Sequence, residues 1–350
     1  MNKKLFLLDA YALIYRAHFA FIKNPRINSK GLNTSAILGF CNSLLEVINN
    51  HNPSHIAVVF DPPGGSDREG VFEDYKANRQ EMPEDIRKAI PYIFDLLKAM
   101  NIRVEMEQGY EADDLIGTLA KQAEKKGFKT FMMTPDKDFG QLVSENIFIY
   151  KPGRGGSPSE ILGVKEVCAK FEIEQPKQVI DILGLWGDAV DNIPGVPGIG
   201  EKTAKKLIGQ YGSIESLLEN TQDLKGKQKE NVENFADQAL ISKQLATIIL
   251  DSPVDFQEDL FIIKDPDEKT LTNLLKELEF NQLGKRILGR PIHQEKQMSL
   301  FGEALEEEKE NTLSNFNSIK PNYKLIQTKD EHIEFIQQLV LQKEVAFDTE

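Results

Sequence analysis

Leu5-Phe6-Leu7-Leu8-Asp9 is a short, unbroken apolar run closed by a carboxylate, and the figure returns as Ile56-Ala57-Val58-Val59-Phe60-Asp61. Runs of this length without alternation suit a strand covered on both faces. Between them, Ile37, Leu38, Cys41, Leu44, Leu45 and Ile48 share one helical face behind Thr34, a residue suited to the N-cap. The alternation continues with a helix over 83–100, kinked at Pro91, and a strand over 102–106. A helix over 111–126 follows, with Leu115, Ile116, Leu119 and Ala123 inward and Gly127 at its end, then a strand at 131–133. Strands alternating with helices predict an α/β fold, a mostly parallel central sheet flanked by helices. Carboxylates recur just past the strand ends, where open α/β sheets place their active sites.

Residues 62–82 are polar, charged and too long for an ordinary connection. From 159 to 290 the pattern is helical, with 256–263 ambiguous. Residues 291–322 lose periodicity and turn acidic, as a linker does, and 323–327, 330–341 and 345–348 look like strand, helix, strand. The expected organisation is an α/β core over 1–180, a helical region over 181–290, a linker over 291–322 and a further piece over 323–350.

The net charge of −13 argues at first against a nucleic-acid partner. Residues 291–350 alone carry 6 Lys and no Arg against 12 acidic residues, so the balance elsewhere is a weak objection. Cys41 and Cys168 lie far apart in apolar, helix-like surroundings, which predicts buried, reduced thiols. The five histidines have no zinc-type spacing. Asp9 cuts the N-terminal apolar run too early for a signal peptide, and no stretch reaches the length of a membrane span. A cytoplasmic protein is expected.

Four acidic clusters carry the chemistry: Asp9; Glu111, Asp113 and Asp114; Asp136 and Asp138; Asp188 and Asp191. On helices, 111 and 114 would be neighbours, as would 188 and 191. Any one cluster has a plain explanation in the helix dipole. Gathered together they would repel, their pKa values would rise, and divalent cations would relieve the strain. Oxygen ligands without His or Cys select Mg²⁺ or Mn²⁺, and two such ions can hydrolyse a phosphodiester. Arg68, Lys76 and Arg79 are the cations available to bring in a phosphate, with Tyr75 as a surface for base stacking. A solvated charged loop is the alternative.

Pro197-Gly198-Ile199-Gly200-Glu201-Lys202-Thr203-Ala204 reads as a hairpin whose following helix offers amides to a phosphate. Lys202, Thr203, Lys205 and Lys206 would add contacts to the backbone. A Walker loop fails because Glu201 separates Gly200 from Lys202, and the preceding Asp-Asn-Ile-Pro is a poor strand for a dinucleotide fingerprint. An ordinary helix–turn–helix corner remains open.

With these residues assembled, the chain resembles the 5′-nuclease domain of bacterial DNA polymerase I, in the flap endonuclease family. The likeness covers about 3–290 and rests on LLDAYALIYRAHFA, VVFD, YKANR, GYEADDLIG, TPDKDFGQL and GDAVDNIPGVPGIGEKTA. It implies a PIN-like core, a helical arch around 62–90, a DNA-binding helix–hairpin–helix region, and Mg²⁺-dependent removal of 5′ ends, flaps and RNA primers. It puts Asp9, Glu111, Asp113, Asp114, Asp136, Asp138, Asp188 and Asp191 around two metal ions, with Asp61 nearby. Arg68, Tyr75, Lys76, Arg79, Gly198, Gly200, Lys202, Thr203, Lys205 and Lys206 fall to the DNA, and a K⁺ ion to the hairpin. One departure is Asp67, where the family usually has an aromatic.

Ala346-Phe347-Asp348-Thr349-Glu350 resembles the opening of the polymerases' proofreading exonuclease domain, so a chain trimmed from a longer polymerase is expected. Gln297, Leu300 and Phe301 resemble a peptide that docks on the bacterial sliding clamp. The competing functions are a single-strand ribonuclease of related fold and a non-catalytic DNA tether. A nucleoid-associated monomer completes the expectation.

Overall fold

The structure, a computed structural model, describes residues 3–65, 67–153, 157–289, 326 and 328–340. β1 (Lys4–Asp9) leads into α1 (Ala10–Ala20) and α2 (Ser35–His51), then β2 (His55–Val59), α3 (Glu84–Ala99) and β3 (Arg103–Glu105). α4 (Ala112–Lys125), β4 (Lys129–Met133), β5 (Ile147–Lys151) and β6 (Glu160–Leu162) complete a six-stranded sheet of order β3-β2-β1-β4-β5-β6. Every pairing is parallel except the last. The sheet therefore grows from β1 first to one side and then to the other. The C-terminal ends of β1 and β4 flank the switch point, which is where such sheets open a crevice.

The unbroken apolar runs serve two cores at once, because successive side chains leave opposite faces of a strand. Leu5, Leu7, Ala57, Val59 and Met132 pack with Leu115, Ile116 and Leu119 of α4. Phe6, Leu8, Ile56, Val58 and Met133 pack with Ile14 of α1, Leu44 of α2 and Ile93 of α3. Each such fully buried side chain contributes roughly 1.5–3 kcal/mol. Phe6, Phe131 and Phe148 lie in register across three strands with stacked rings, centroids 4.8 and 5.2 Å apart.

A helical region follows the sheet: α5 (Val164–Phe171), α6 (Val179–Trp186), α7 (Glu201–Tyr211), α8 (Ile214–Glu219), α9 (Gly226–Asn234) and α10 (Ala236–Ala246). α11 (Glu258–Phe261), α12 (Glu268–Glu277) and α13 (Asn281–Leu288) complete it. Leu207, Ile208, Ile214 and Leu217 join the α4-side core. α12 and α13 bury Leu271, Leu275 and Leu283 on the α1–α3 side.

The mostly parallel sheet and the helices around it match the expected fold class. Several local expectations need correction. β5 and β6 are additional to the predicted strands, and β6 lies at the start of the stretch that reads as helical. Thr34 precedes α2 but does not cap it, because its hydroxyl donates to Arg26 O. The described residues of 62–83 form turns and one 3₁₀ turn (Asp67–Gly70), with no α-helix before Glu84. A segment dense in Gly, Pro and charge has no apolar stripe to pack. Asp188 and Asp191 are not helical either. α6 ends at Trp186, and Asp188 N to Ile193 O (2.9 Å) with Ile193 N to Asp188 O (2.8 Å) closes a bridged loop. Cys41 is buried and Cys168 half-buried, both free thiols.

The chain divides into Met1–Gln294 and Glu295–Glu350. In the second unit the described residues include one helix, α14 (Lys329–Val340), none of whose residues is buried. Gln297, Leu300, Phe301, Asp348 and Glu350 lie outside the described residues.

Candidate active site

Asp9 closes β1 and caps α1, its Oδ1 accepting from Ala12 N at 3.1 Å. Asp61, just beyond β2, accepts from Ala112 N at 3.0 Å. Asp136, just beyond β4, accepts from Asp138 N at 2.9 Å, and Asp188 accepts from Val190 N at 2.8 Å. In each case a backbone amide, local for Asp9, Asp136 and Asp188 and 51 residues away for Asp61, holds one carboxylate oxygen and so fixes the side chain. Thr134, absent from the sequence-based set, donates from Oγ1 to Asp9 Oδ2 at 3.1 Å and ties the ends of β1 and β4 together.

These four residues, with Glu111, Asp113 and Asp191, line one open cleft of about 820 Å³. Tyr11, Tyr15, Phe19, Met82 and Pro83 supply an apolar wall, and Lys76, Arg79 and Lys137 reach in. Asp114 and Asp138 do not line it. Asp114 is 1% exposed and accepts from Glu111 N, Ile249 N and Arg68 Nη2, so it acts as half of a capping box and an anchor. Direct metal ligation by Asp114 is corrected on that ground. Asp138 is buried, and its Oδ1 has no hydrogen-bond partner, with Lys137 Nζ 3.4 Å away.

The cations come from 67–79 and from Lys137. Arg68 is buried, with its guanidinium 2.6 Å from Asp114, 2.9 Å from Glu111 and 3.4 Å from Asp113. Lys76 Nζ meets Glu111 Oε2 at 2.5 Å and Asp191 Oδ2 at 3.9 Å, while Arg79 meets Asp191 Oδ1 at 2.6 Å. Lys137 pairs with Asp188. Tyr75 is 4% exposed, with its hydroxyl donating to Glu111 Oε2 at 3.2 Å. The expectation of an exposed stacking ring is therefore wrong: the ring belongs to the core. Arg68 is likewise an internal counterion, with no exposed face to offer DNA. Asp67 sits against Gly109, its amide donating to Gly109 O at 3.0 Å.

Burial drives the acidities. Burial and the neighbouring Asp61 push Asp9 up to about 7. Burial raises Asp113 and Asp138 well above the usual carboxylate range, although Arg68 pulls Asp113 back and Asp136 adds to the rise at Asp138. Asp114 and Asp136 are raised by burial too. This is the crowding expected of a cation site. Among the described residues no three carboxylates have closed to metal-ligand spacing, because lysine and arginine lie among them. The donor set still fits a hard divalent cation: all oxygen, crowded, with Asp9, Asp113, Asp136 and Asp138 raised by burial, and with one buried oxygen lacking a partner.

The hairpin stands on two buried side chains, Val196 and Ile199, with Pro197, Gly198 and Gly200 exposed. Gly198 uses a left-handed conformation (φ 79°), but Gly200 does not, and a Cβ there would meet nothing within 4 Å. The fold does not require glycine at 200, whereas an outside group approaching the start of α7 would. Lys202 and Lys206 are exposed and Thr203 is half-buried. Lys205 is not available as expected: it donates to Lys170 O at 2.8 Å and pairs with Glu201 at 2.8 Å. Sequence reasoning missed Lys137, Asn78 and Asn192, whose partners lie 51 to 118 residues away.

Residues 4–172 match the family described as 5′-3′ exonuclease, N-terminal resolvase-like domain, and residues 174–269 match 5′-3′ exonuclease, C-terminal SAM fold. DNA polymerase I of Bacillus subtilis (strain 168) is 42% identical over 289 residues, 82% of this chain and 32% of the polymerase. A 5′-3′ exonuclease of Aquifex aeolicus (strain VF5) is 37% identical over 299 residues, 85% of this chain and 100% of that protein. The chain thus spans about a third of the length of the polymerase and the full length of the exonuclease. T5 5′-exonuclease, solved with divalent metal ions (zinc) bound, superposes with a TM-score of 0.59 at 19% identity, over 79% of this chain and 99% of that one. Flap endonuclease-1 from Methanococcus jannaschii gives 0.55 at 19% identity, over 82% and 91%. At that identity the two structures speak for the fold.

Proposed function

The chain belongs to the 5′-3′ exonuclease family, and from that premise we propose that it is a divalent-metal-dependent 5′ nuclease acting at flaps and 5′ ends of duplex DNA, RNA primers included. The observation that carries this reading is the cleft: Asp9, Asp61, Glu111, Asp113, Asp136, Asp188 and Asp191, from five chain segments, line it beside Lys76, Arg79 and Lys137. A hairpin with an open glycine follows Asp191 by a few residues.

Asp9, Asp61, Glu111, Asp113, Asp136, Asp188 and Asp191 would hold the cations, and Asp138, whose buried Oδ1 has no hydrogen-bond partner, would be a further oxygen for them. When bound there, two Mg²⁺ or Mn²⁺ ions would supply Lewis-acid activation of a water and charge stabilisation for the leaving oxygen. Arg68 and Asp114 fix the start of α4, and with it Glu111 and Asp113. Lys76 and Arg79 exchange their carboxylate partners for the incoming phosphate, which offsets the negative charge of the site. Gly198, Gly200, Lys202, Thr203 and Lys206 hold the duplex backbone without reading its sequence. A K⁺ ion at the hairpin is part of the same proposal.

The reading extends to work within a DNA polymerase I in replication and repair, as a cytoplasmic, nucleoid-associated monomer. Among the described residues no helix is long and apolar enough to cross a membrane. The peptide around Gln297, Leu300 and Phe301 is proposed to dock on the sliding clamp. Titrating clamp with that peptide and with its Leu300→Ala, Phe301→Ala form tests it.

A 5′-flap duplex, a plain single strand and an RNA strand, each given Mg²⁺ or EDTA, test the main proposal. Cutting confined to the junction and abolished by EDTA is expected. Junction-blind cutting of RNA favours the ribonuclease, and duplex binding without cutting favours the tether.

A further inference from the structure

The strap formed by 74–79 is joined to the loop 188–193 by contacts of two kinds. The charged contacts are Arg79 to Asp191 at 2.6 Å and the longer Lys76 Nζ to Asp191 Oδ2 at 3.9 Å. The others are neutral: Lys76 N donates to Asp191 O at 3.0 Å, Asn78 Nδ2 to Ala189 O at 2.7 Å, and Asn192 Nδ2 to Asp74 O at 2.6 Å. Two non-glycine residues at this junction, Lys76 (φ 57°) and Asn192 (φ 56°), adopt left-handed backbone conformations. Side chains rarely adopt these unless their surroundings impose them. The loop is closed on itself by the Asp188–Ile193 bridge and runs on to the hairpin at Pro197–Gly200.

The kinds of contact respond differently to substrate. A cation or phosphate that enters the cleft competes for Asp191 and Arg79, because it carries charge. Amide-to-carbonyl bonds offer it nothing to exchange with. Neither Asn78 nor Asn192 lines the cleft.

We propose that Asn78 and Asn192 are positioning residues, a neutral clasp that keeps the strap on the loop while Lys76 and Arg79 change partners. The clasp would hold the phosphate-facing cations at a constant distance from the hairpin and so determine which phosphodiester is presented. The inference rests on the nuclease reading.

Four variants test it. Asn78→Asp and Asn192→Asp keep size and remove the donor. Asn192→Gly also removes it while keeping the left-handed backbone easy, and Asn78→Gln keeps the donor on a longer arm. Each is compared with wild type by single-turnover cleavage of an end-labelled 5′-flap duplex, by duplex binding in EDTA, and by thermal midpoint. Donor-less variants should cut about tenfold more slowly. Their cuts should spread over adjacent phosphodiesters, with duplex affinity and midpoint unchanged. Asn78→Gln should recover part of the rate, and a double variant should be no worse than its worse parent, as for residues acting as one unit. Unchanged rate and cut position overturn the clasp, as does a loss of duplex binding that accounts for the lost rate. If Asn192→Gly unfolds, Asn78→Asp decides, since residue 78 has no left-handed backbone to protect. Wild type that does not cut the flap with Mg²⁺ overturns the nuclease reading and the clasp with it. Where wild type cuts at one position and the donor-less variants cut as it does, the clasp alone is overturned and the nuclease reading stands.

Discussion

The floor of the cleft and the strap across it carry opposite charges and are held by different means. Asp9, Asp61 and Asp136 stand at or just beyond the ends of β1, β2 and β4, oriented by backbone amides that remain whatever enters the cleft. Lys76 and Arg79 sit in turns and are held in part by Glu111 and Asp191, carboxylates that a cation would also claim. The floor is preorganised by the sheet. The strap depends on the charge state of its partners, so ligand binding and strap position are coupled.

The largest effects should come from the floor. Asp136→Asn or Asp188→Asn should cut single-turnover cleavage on the order of a thousandfold, with duplex binding in EDTA intact. Lys76→Ala or Arg79→Ala should cost about ten- to a hundredfold. Equal losses from floor and strap would break the comparison, because the strap would then be as indispensable as the ligands.

The hairpin supplies the next contrast. At Gly195 (φ 61°) a Cβ would meet Gly187 N at 2.5 Å, where two stretches of backbone cross. Gly195→Ala should therefore cost about 3 kcal/mol in urea unfolding. Gly200→Ala, with open space and an ordinary φ, should fold normally and lose duplex affinity. If Gly200→Ala binds duplex as wild type does, the hairpin reading loses its support.

What is legible in the sequence follows the same division. The floor can be read because an apolar run ending in Asp is a local pattern, repeated at 5–9 and 56–61. The strap cannot, because the partners of its residues are distant. Tyr75 looks exposed in a polar segment, yet its hydroxyl finds Glu111, 36 positions on. Arg68 looks like a DNA contact, yet three carboxylates of the next acidic cluster enclose it. Asp114 shows the opposite error. Its spacing from Glu111 fits shared ligation, but the plainer alternative, an acidic helix start, is what the structure contains as a capping box. β5 lies just past a motif whose weight falls on Asp136 and Asp138, and its Ile-Phe-Ile-Tyr run, as long as Leu5–Leu8, ends in Lys151 and not in the carboxylate that marks β1 and β2.

The raised acidities give a pH dependence with a definite sign. Asp9 titrates at about 7, against an ordinary 3.8, and Asp113, Asp136 and Asp138 are raised in the same direction. Between those values Asp9 makes the native chain bind more protons than the unfolded one, so its contribution is complete below about pH 4 and is lost as pH rises through 7, and the other three act with the same sign. Without divalent ions the thermal midpoint should fall by about 5 °C between pH 5 and 8. Mg²⁺ should restore it, more at pH 8 than at pH 6. Asp9→Asn should flatten the slope. A midpoint that rises with pH in EDTA would contradict the crowded floor.

The smallest effect expected is also the sharpest sorting of lysines. Lys202 is exposed at the start of α7, whereas Lys205, three residues on, is engaged by Lys170 O, Glu201 and Glu172. Removing one phosphate contact lowers the salt dependence of duplex binding by about one unit of slope. Lys202→Ala should show that change with a few-fold weaker affinity, and Lys205→Ala should leave the slope alone. If Lys205→Ala lowers the slope as well, its ion pairs open when duplex arrives. The hairpin would then behave like the strap, with cations that wait on internal carboxylates until a phosphate replaces them.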